Sequence, residues 1–190
     1  MTDAELHGLL DFLRGAERLK TVTRTAWTSE GGRESTAEHT WRLGLFALSL
    51  RPWFPELDFE RVLAIALVHD LGEALHGDIA APAQAGSPPK AEQERRDLTA
   101  LLAPAPAAVR ARFLALWEEY EAAATPEARF VKAVDKLETL LQHNQGRNPA
   151  DFDYAFNLGY ARAATATHPL LARIRAELYA GTRARAEGAR

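Results

Sequence analysis

The segment Asp58-Phe-Glu-Arg-Val-Leu-Ala-Ile-Ala-Leu-Val-His-Asp70 opens on an aspartate, runs through apolar residues and closes on an imidazole beside a carboxylate. Asp58 can accept hydrogen bonds from the free N–H groups at a helix start. Phe59, Val62, Leu63, Ile65, Ala66, Leu67 and Val68 leave almost no polar face, which is the pattern of a helix buried among other helices. His69 and Asp70 then stand where burial is expensive. Unpaired charge in an apolar setting costs several kcal/mol, so such groups pair or bind a metal. Glu73 and Asp78 follow within a few residues. The stretch reads as half of a metal site with acid–base groups attached.

Working outward, helical spacing dominates and strand alternation is scarce. Leu6, Leu9, Leu10 and Leu13 make an apolar stripe, predicting a first helix over about Asp3 to Lys20. Residues 21–33 read as a loop with Gly31-Gly32 as its turn. Ser35-Thr-Ala-Glu38 fits a capping box, so a second helix should run from about Thr36 to Leu50, ahead of Pro52. Residues 80–89 are rich in Ala, Pro, Gly and Ser and read as a flexible loop. Helical spacing resumes over Lys90 to Leu102, breaks at Pro104 and Pro106, and returns to about Ala124. Thr125-Pro126 opens a further helix with core stripe Phe130, Val134, Leu137 and Leu141, ending near Gly146. A last helix follows Pro169. The expectation is an all-α bundle forming a single domain over residues 1–180, with residues 181–190 a frayed tail.

Bulk composition narrows the function classes. The 190 residues are 47% hydrophobic and 26% charged, ordinary for a globular chain with one sizeable core. A net charge of -3 and the lack of a basic tract argue against nucleic acid as a partner. No apolar run approaches a membrane span, and the N-terminus lacks a secretory pattern. The chain has no cysteine, which permits a cytoplasmic location and leaves only His, Asp and Glu as metal ligands.

Such ligands occur at three places in separate predicted helices: Glu38-His39, His69-Asp70 and Asp135. Helix bundles build metal sites from side chains that project inward from facing helices. Two His and two Asp offer four N/O ligands, a set that suits Mn, Co, Fe or Mg better than a closed structural zinc site. Each residue taken alone has a plainer reading. His39 could be a satisfied core histidine, His69-Asp70 a hydrogen-bonded structural pair, and Asp135 a solvated partner of Lys132 or Lys136. Glu73, Asp78 and Arg24 could be surface residues. Trp41 and Trp117 fit helix stripes and are expected in the core. His76 is expected at the surface, and His7, His143 and His168 have no evident partner.

The order His…His-Asp…Asp resembles the HD-domain metal-dependent phosphohydrolases, and more narrowly the bacterial 5'-deoxynucleotidases and their HD-domain relatives. The resemblance covers about residues 5 to 145. It is carried by Arg18-Leu-Lys20, Arg24, Glu34-Ser-Thr-Ala-Glu-His-Thr-Trp41, His69-Asp-Leu-Gly-Glu-Ala-Leu-His-Gly-Asp78 and Phe130-Val-Lys-Ala-Val-Asp-Lys-Leu-Glu138. It implies an HD-domain helical bundle with a buried site for a divalent metal, held by His39, His69, Asp70 and Asp135. It implies further that Glu73 positions or deprotonates the attacking water, that Asp78 is a second acid near the scissile oxygen, and that Arg24 contacts the phosphate. A helix continuing to Glu73 would place it on the face of His69 and Asp70. Where the family carries a tryptophan after the arginine, against the sugar, this chain has Thr25, with Trp27 two residues on. Thr25 and Trp27 are therefore the candidate sugar contacts.

The implied activity is hydrolysis of nucleoside 5'-monophosphates, deoxyribonucleotides foremost, to nucleoside and phosphate by a homodimeric cytoplasmic enzyme. The alternatives are an HD-domain hydrolase of another phosphoester and a non-enzymatic nucleotide-binding HD module.

Overall fold

The computed structural model describes residues 1–77 and 90–188. Its architecture follows from helix starts written locally in the sequence. Helix α1 (Asp3–Ala16) begins at Thr2, whose side chain and that of Glu5 cap each other's backbone N–H groups. The chain then tightens into a 3₁₀ turn, Glu17–Lys20. The buried face of α1 is not the leucine stripe. Phe12 is buried, while Leu6, Leu10 and Leu13 are exposed. The reason lies at Gly8 and Gly15, one turn either side of Phe12. A Cβ on Gly8 would stand 2.0 Å from the Pro104 carbonyl oxygen, and one on Gly15 would stand 2.9 Å from Leu101. Small residues let α1 approach closely on that face; Leu9 packs partly against the core there, and Leu6, Leu10 and Leu13 face outward.

Residues expected to be a loop contain a small antiparallel hairpin. Strand β1 (Thr23–Trp27) pairs with β2 (Arg33–Ser35), Thr23 opposite Ser35 and Trp27 opposite Arg33, with an irregularity between. The predicted turn is where expected, and Gly31 takes φ +90°, a left-handed conformation that glycine adopts without steric cost.

Helix α2 (Thr36–Leu50) starts at Ser35 with the expected capping box: the Glu38 N–H donates to Ser35 Oγ at 3.2 Å, and the Ser35 N–H donates to Glu38 Oε2 at 2.7 Å. Helix α3 (Phe59–Val68) starts at Asp58, which accepts from the N–H groups of Glu60 and Arg61. Four residues of tight turn separate it from α4 (Glu73–His76). Then come α5 (Lys90–Leu102), α6 (Ala107–Ala122) and α7 (Pro126–Gln145), the last capped by Thr125. Two single turns, α8 (Tyr154–Asn157) and α9 (Arg162–Thr165), lead to α10 (Pro169–Gly188).

The core forms where α2, α3 and α7 cross, around fully buried Leu43, Ala47, Val62, Ile65, Val134 and Leu137. Helix α10 lies along α7. The tail expected to fray from Gly181 is helical to Gly188, and it is anchored by Thr182, which is buried and donates to Asn144 Oδ1 at 2.9 Å. Two other expectations change. Helix α3 is not buried all round, since Leu67 is 64% exposed. Trp41 is 68% exposed, whereas Trp117 is in the core. Among the described residues no helix is long and apolar enough to cross a membrane.

Ile65 sits at the centre of this packing with no exposed surface. Truncating it leaves a cavity that neighbouring helices fill only in part, so Ile65→Ala should lower unfolding stability by about 2–5 kcal/mol in a urea titration. A loss below about 0.5 kcal/mol would be a surface-like value and would contradict the packing described.

Candidate metal centre

The capping box that starts α2 places His39 one turn inside the helix, facing α3 and α7, with no exposed surface. His69 caps the C-terminus of α3, where its Nδ1 lies 2.8 Å from the Ala66 carbonyl. That bond assigns the proton to Nδ1 and leaves the Nε2 lone pair pointing inward. Asp70 follows at once, and Asp135 comes from the middle of α7. His39 Nε2 lies 3.2 Å from Asp135 Oδ1 and 3.8 Å from Asp70 Oδ2, and His69 Nε2 lies 3.1 Å from the same Asp70 oxygen. Two donor atoms at right angles on bonds of the usual length to one ion stand about 3 Å apart. His39 Nε2, His69 Nε2 and Asp70 Oδ2 are buried and make no hydrogen bond. Buried polar atoms are rarely left so, and these three converge within 4.8 Å of one another. The cluster therefore fits a divalent cation held by two imidazoles and two carboxylates.

Around the four lies a second layer. His39 Nδ1 is 2.5 Å from Glu138 Oε2, and Arg42 Nε donates to Glu138 Oε1 at 2.6 Å. Glu138 is fully buried. The Tyr120 hydroxyl donates to Asp135 Oδ2 at 3.2 Å, and its ring packs edge-on against His69. Arg24 reaches in from β1: Nη1 lies 3.5 Å from Asp70 Oδ2, Nε lies 3.4 Å from Glu34 Oε2, and Nη2 donates to Thr139 Oγ1 at 3.1 Å. Glu73 is buried and accepts from the Thr36 hydroxyl at 3.1 Å.

The electrostatics show how strongly the site draws positive charge. Burial and Arg24 oppose a charge on His39, yet the close carboxylates of Asp135 and Glu138 prevail and raise its pKa to about 10. Burial alone would raise Asp70 and Asp135. The imidazoles and Arg24 instead hold both well below the usual carboxylate range. Glu34 goes the other way, pushed up to about 7 by burial and the neighbouring charge of Glu138. A pocket that keeps a buried imidazole charged against its desolvation cost is one that a metal cation can enter in place of that proton.

The structure brings His39, His69, Asp70, Asp135 and Arg24 together, as the sequence analysis expects. Glu73 is beside them by a different route. The helix does not continue to it; a tight turn, with the Glu73 N–H donating to the Asp70 carbonyl at 3.1 Å, carries the chain there. Asp78 lies outside the described residues. Thr25 and Trp27 are not drawn into the cluster. Along β1, Arg24 and Ala26 turn inward, while Thr25 is exposed and Trp27 packs edge-on against Phe152 beneath the Arg33 guanidinium. His76 is exposed as expected and pairs with Asp97 at 2.8 Å. His143 does have a partner, Asn157, and His168 stacks near Phe54.

Glu138, Arg42, Glu34 and Tyr120 are the neighbours that sequence reasoning passes over. Glu138 was findable, because it stands three residues after Asp135 and so shares its helix face. A carboxylate on the second ring nitrogen orients a ligating histidine and raises its basicity, an arrangement worth about ten- to hundredfold in metal affinity. Glu138→Gln should therefore weaken binding of a divalent ion by about that factor in a calorimetric titration. Unchanged affinity would mean that the His39–Glu138 pair has no part in holding a metal.

Comparison with known proteins agrees with this geometry. The HD domain profile matches residues 16–175. The 5'-deoxynucleotidase HDDC2 of Mus musculus is 38% identical, over 73% of this chain and 69% of its own length. The 5'-deoxynucleotidase hdd1 of Schizosaccharomyces pombe is 36% identical, over 75% and 74%. A crystal structure from Magnetospirillum magnetotacticum, described as a "predicted metal-dependent phosphohydrolase", superposes with a TM-score of 0.70 at 27% identity, covering 98% of this chain and 93% of that one. With the profile spanning most of the chain and relatives of this identity over most of its length, the chain belongs to the HD-domain family.

Proposed function

We propose that this chain is a metal-dependent phosphomonoesterase that hydrolyses nucleoside 5'-monophosphates, deoxyribonucleotides foremost, to nucleoside and phosphate, with residues 1–180 acting as one HD domain. The observation that carries the proposal is the convergence of three buried, unbonded donor atoms on one point, with Arg24 Nη1 3.5 Å from Asp70. The substrate class comes from the 5'-deoxynucleotidase relatives.

In this reading His39, His69, Asp70 and Asp135 hold the ion, with Mn, Co, Mg and Fe as candidates. An ion held there supplies a Lewis acid for the phosphoryl oxygens and activates water near neutral pH. Arg24 offers a planar, permanently charged fork to the phosphate dianion. Glu34 and Thr139 hold that fork in place, so its orientation is set before substrate arrives. Glu73 accepts a proton from the attacking water, and the Thr36 hydroxyl fixes which way its carboxylate faces. Asp78 is assigned the leaving-group side by the family resemblance. Thr25 and Trp27 keep no role, because neither faces the ligands.

A buried acid beside the cluster favours an enzyme over a module that only binds nucleotide, since binding a metal does not require Glu73. A homodimer is part of the proposal. Trp41, Leu45 and Leu48 line one side of α2 at i, i+4 and i+7 and are 68%, 50% and 45% exposed, an apolar face suited to a second copy. The lack of cysteine fits a reducing cytoplasmic compartment.

The test is phosphate release from a panel of deoxyribo- and ribonucleoside 5'-monophosphates with Mn, Co or Mg added. Turnover is expected, with deoxyribonucleotides preferred. Glu73→Ala should bind metal normally and lose about 10²-fold or more in kcat, the usual worth of a positioned base. No release from any nucleotide by the metal-loaded chain would overturn the proposal, and undiminished turnover in the variant would remove Glu73 from it.

A further inference from the structure

Beside the cluster, α7 and the segment after α8 bring together two aromatic rings and a lysine that the metal centre does not use. The Tyr160 phenol interacts with the Thr139 side chain, and the charges of Asp135, Arg24 and Asp70 all act on it. Thr139 is itself bound into the site. It accepts from Arg24 Nη2 and donates to the Asp135 carbonyl, each at 3.1 Å. The hydroxyl end of Tyr160 therefore stands at the edge of the ligand cluster, and its ring leads away from it. Lys136 Nζ sits 4.6 Å from that ring's centroid, and the Phe156 ring follows at 5.8 Å, tilted by 36°. Phe156 is 42% exposed. It sits on a single helical turn held by the Asp153 side chain, which accepts from the N–H groups of Ala155 and Phe156. The result is a strip that runs from the Arg24–Thr139 pair to the partly exposed Phe156 side chain.

We propose that Tyr160 and Phe156 form the wall on which the base of a bound nucleotide stacks, with Phe156 as its outer, specificity-setting surface. The inference rests on the nucleotide phosphohydrolase reading above. With the phosphate against Arg24 and the ligands, the nucleoside extends over a neighbouring surface, and this strip is the one whose inner end touches the Arg24–Thr139 pair. Stacking on an aromatic face is tolerant of base identity, since every base has a π face and no base edge is read. The wall therefore selects nucleotides over phosphorylated sugars without choosing strongly among bases.

The test uses two hydrolysis-resistant probes, a 2'-deoxyadenosine 5'-phosphonate and the corresponding deoxyribose 5-phosphonate without a base. Each is titrated calorimetrically into the metal-loaded wild-type chain, Phe156→Ala and Phe156→Trp. Phe156→Ala should weaken the nucleoside probe by about tenfold or more, the usual loss for one stacked base, and leave the baseless probe unchanged. Phe156→Trp should restore or exceed wild-type affinity. Because Phe156 is half exposed, the variants should keep the wild-type Tm. Equal affinity of wild type for the two probes, or a Phe156→Ala variant that binds the nucleoside probe as wild type does or weakens on both probes alike, would overturn the wall. Binding of both probes with the expected difference, but no phosphate release from any nucleotide, would overturn the proposed activity and leave the wall standing.

Discussion

Glu138 is buried in α7 between two cations of α2, with Arg42 on one carboxylate oxygen and His39 on the other. Removing a carboxylate from water costs several kcal/mol unless it is paired and hydrogen-bonded. This pairing keeps Glu138 ionised in the core, holding it below the ordinary glutamate range although burial pushes the other way. It also fixes how α2 and α7 face each other. Once Glu138 holds Nδ1, the other nitrogen of His39 has only one direction to point, toward Asp135 and Asp70. The fold and the metal centre thus share one contact.

The third helix is aimed by different means. Val62 and Ile65 bury against α2 and α7, and the helix ends at Val68, so His69 and Asp70 stand where the backbone leaves its regular path. The turn that follows brings the buried Glu73 carboxylate against the Thr36 hydroxyl at the start of α2, one turn before His39. Gly72 is required there. A Cβ on it would lie 2.7 Å from the Glu94 carbonyl oxygen, so α5 could not approach as it does. A helix end, a tight turn and one missing side chain together place three candidate site residues, His69, Asp70 and Glu73, within five positions.

Much of this was legible in the sequence because it is encoded locally. Ser35, Asp58 and Thr125 mark helix starts through hydrogen bonds to residues two or three positions on, and all three cap as expected. The meeting of His39, His69, Asp70 and Asp135 was legible because they occur in the order and contexts that HD domains share. What escaped depends on partners far along the chain. The leucine stripe of α1 looked like a core face, but the approach of Pro104 selects the glycine face instead. Trp41 and Leu67 fit apolar stripes and lie exposed, since periodicity gives a face without saying what covers it. The hairpin was too short to show alternation, and with it went the orientation of Thr25 and Trp27. Glu138 received no role from the sequence because its partners Arg42 and His39 are almost a hundred residues away.

The proposed chemistry turns on one cation held between three helices by four side chains. Diffraction from crystals grown with Mn, measured near its absorption edge, tests it directly. A single anomalous peak per chain is expected, within coordination distance of Nε2 of His39, Nε2 of His69 and an oxygen each of Asp70 and Asp135. A chain with no peak at that point, or with its only peak on other residues, would contradict it.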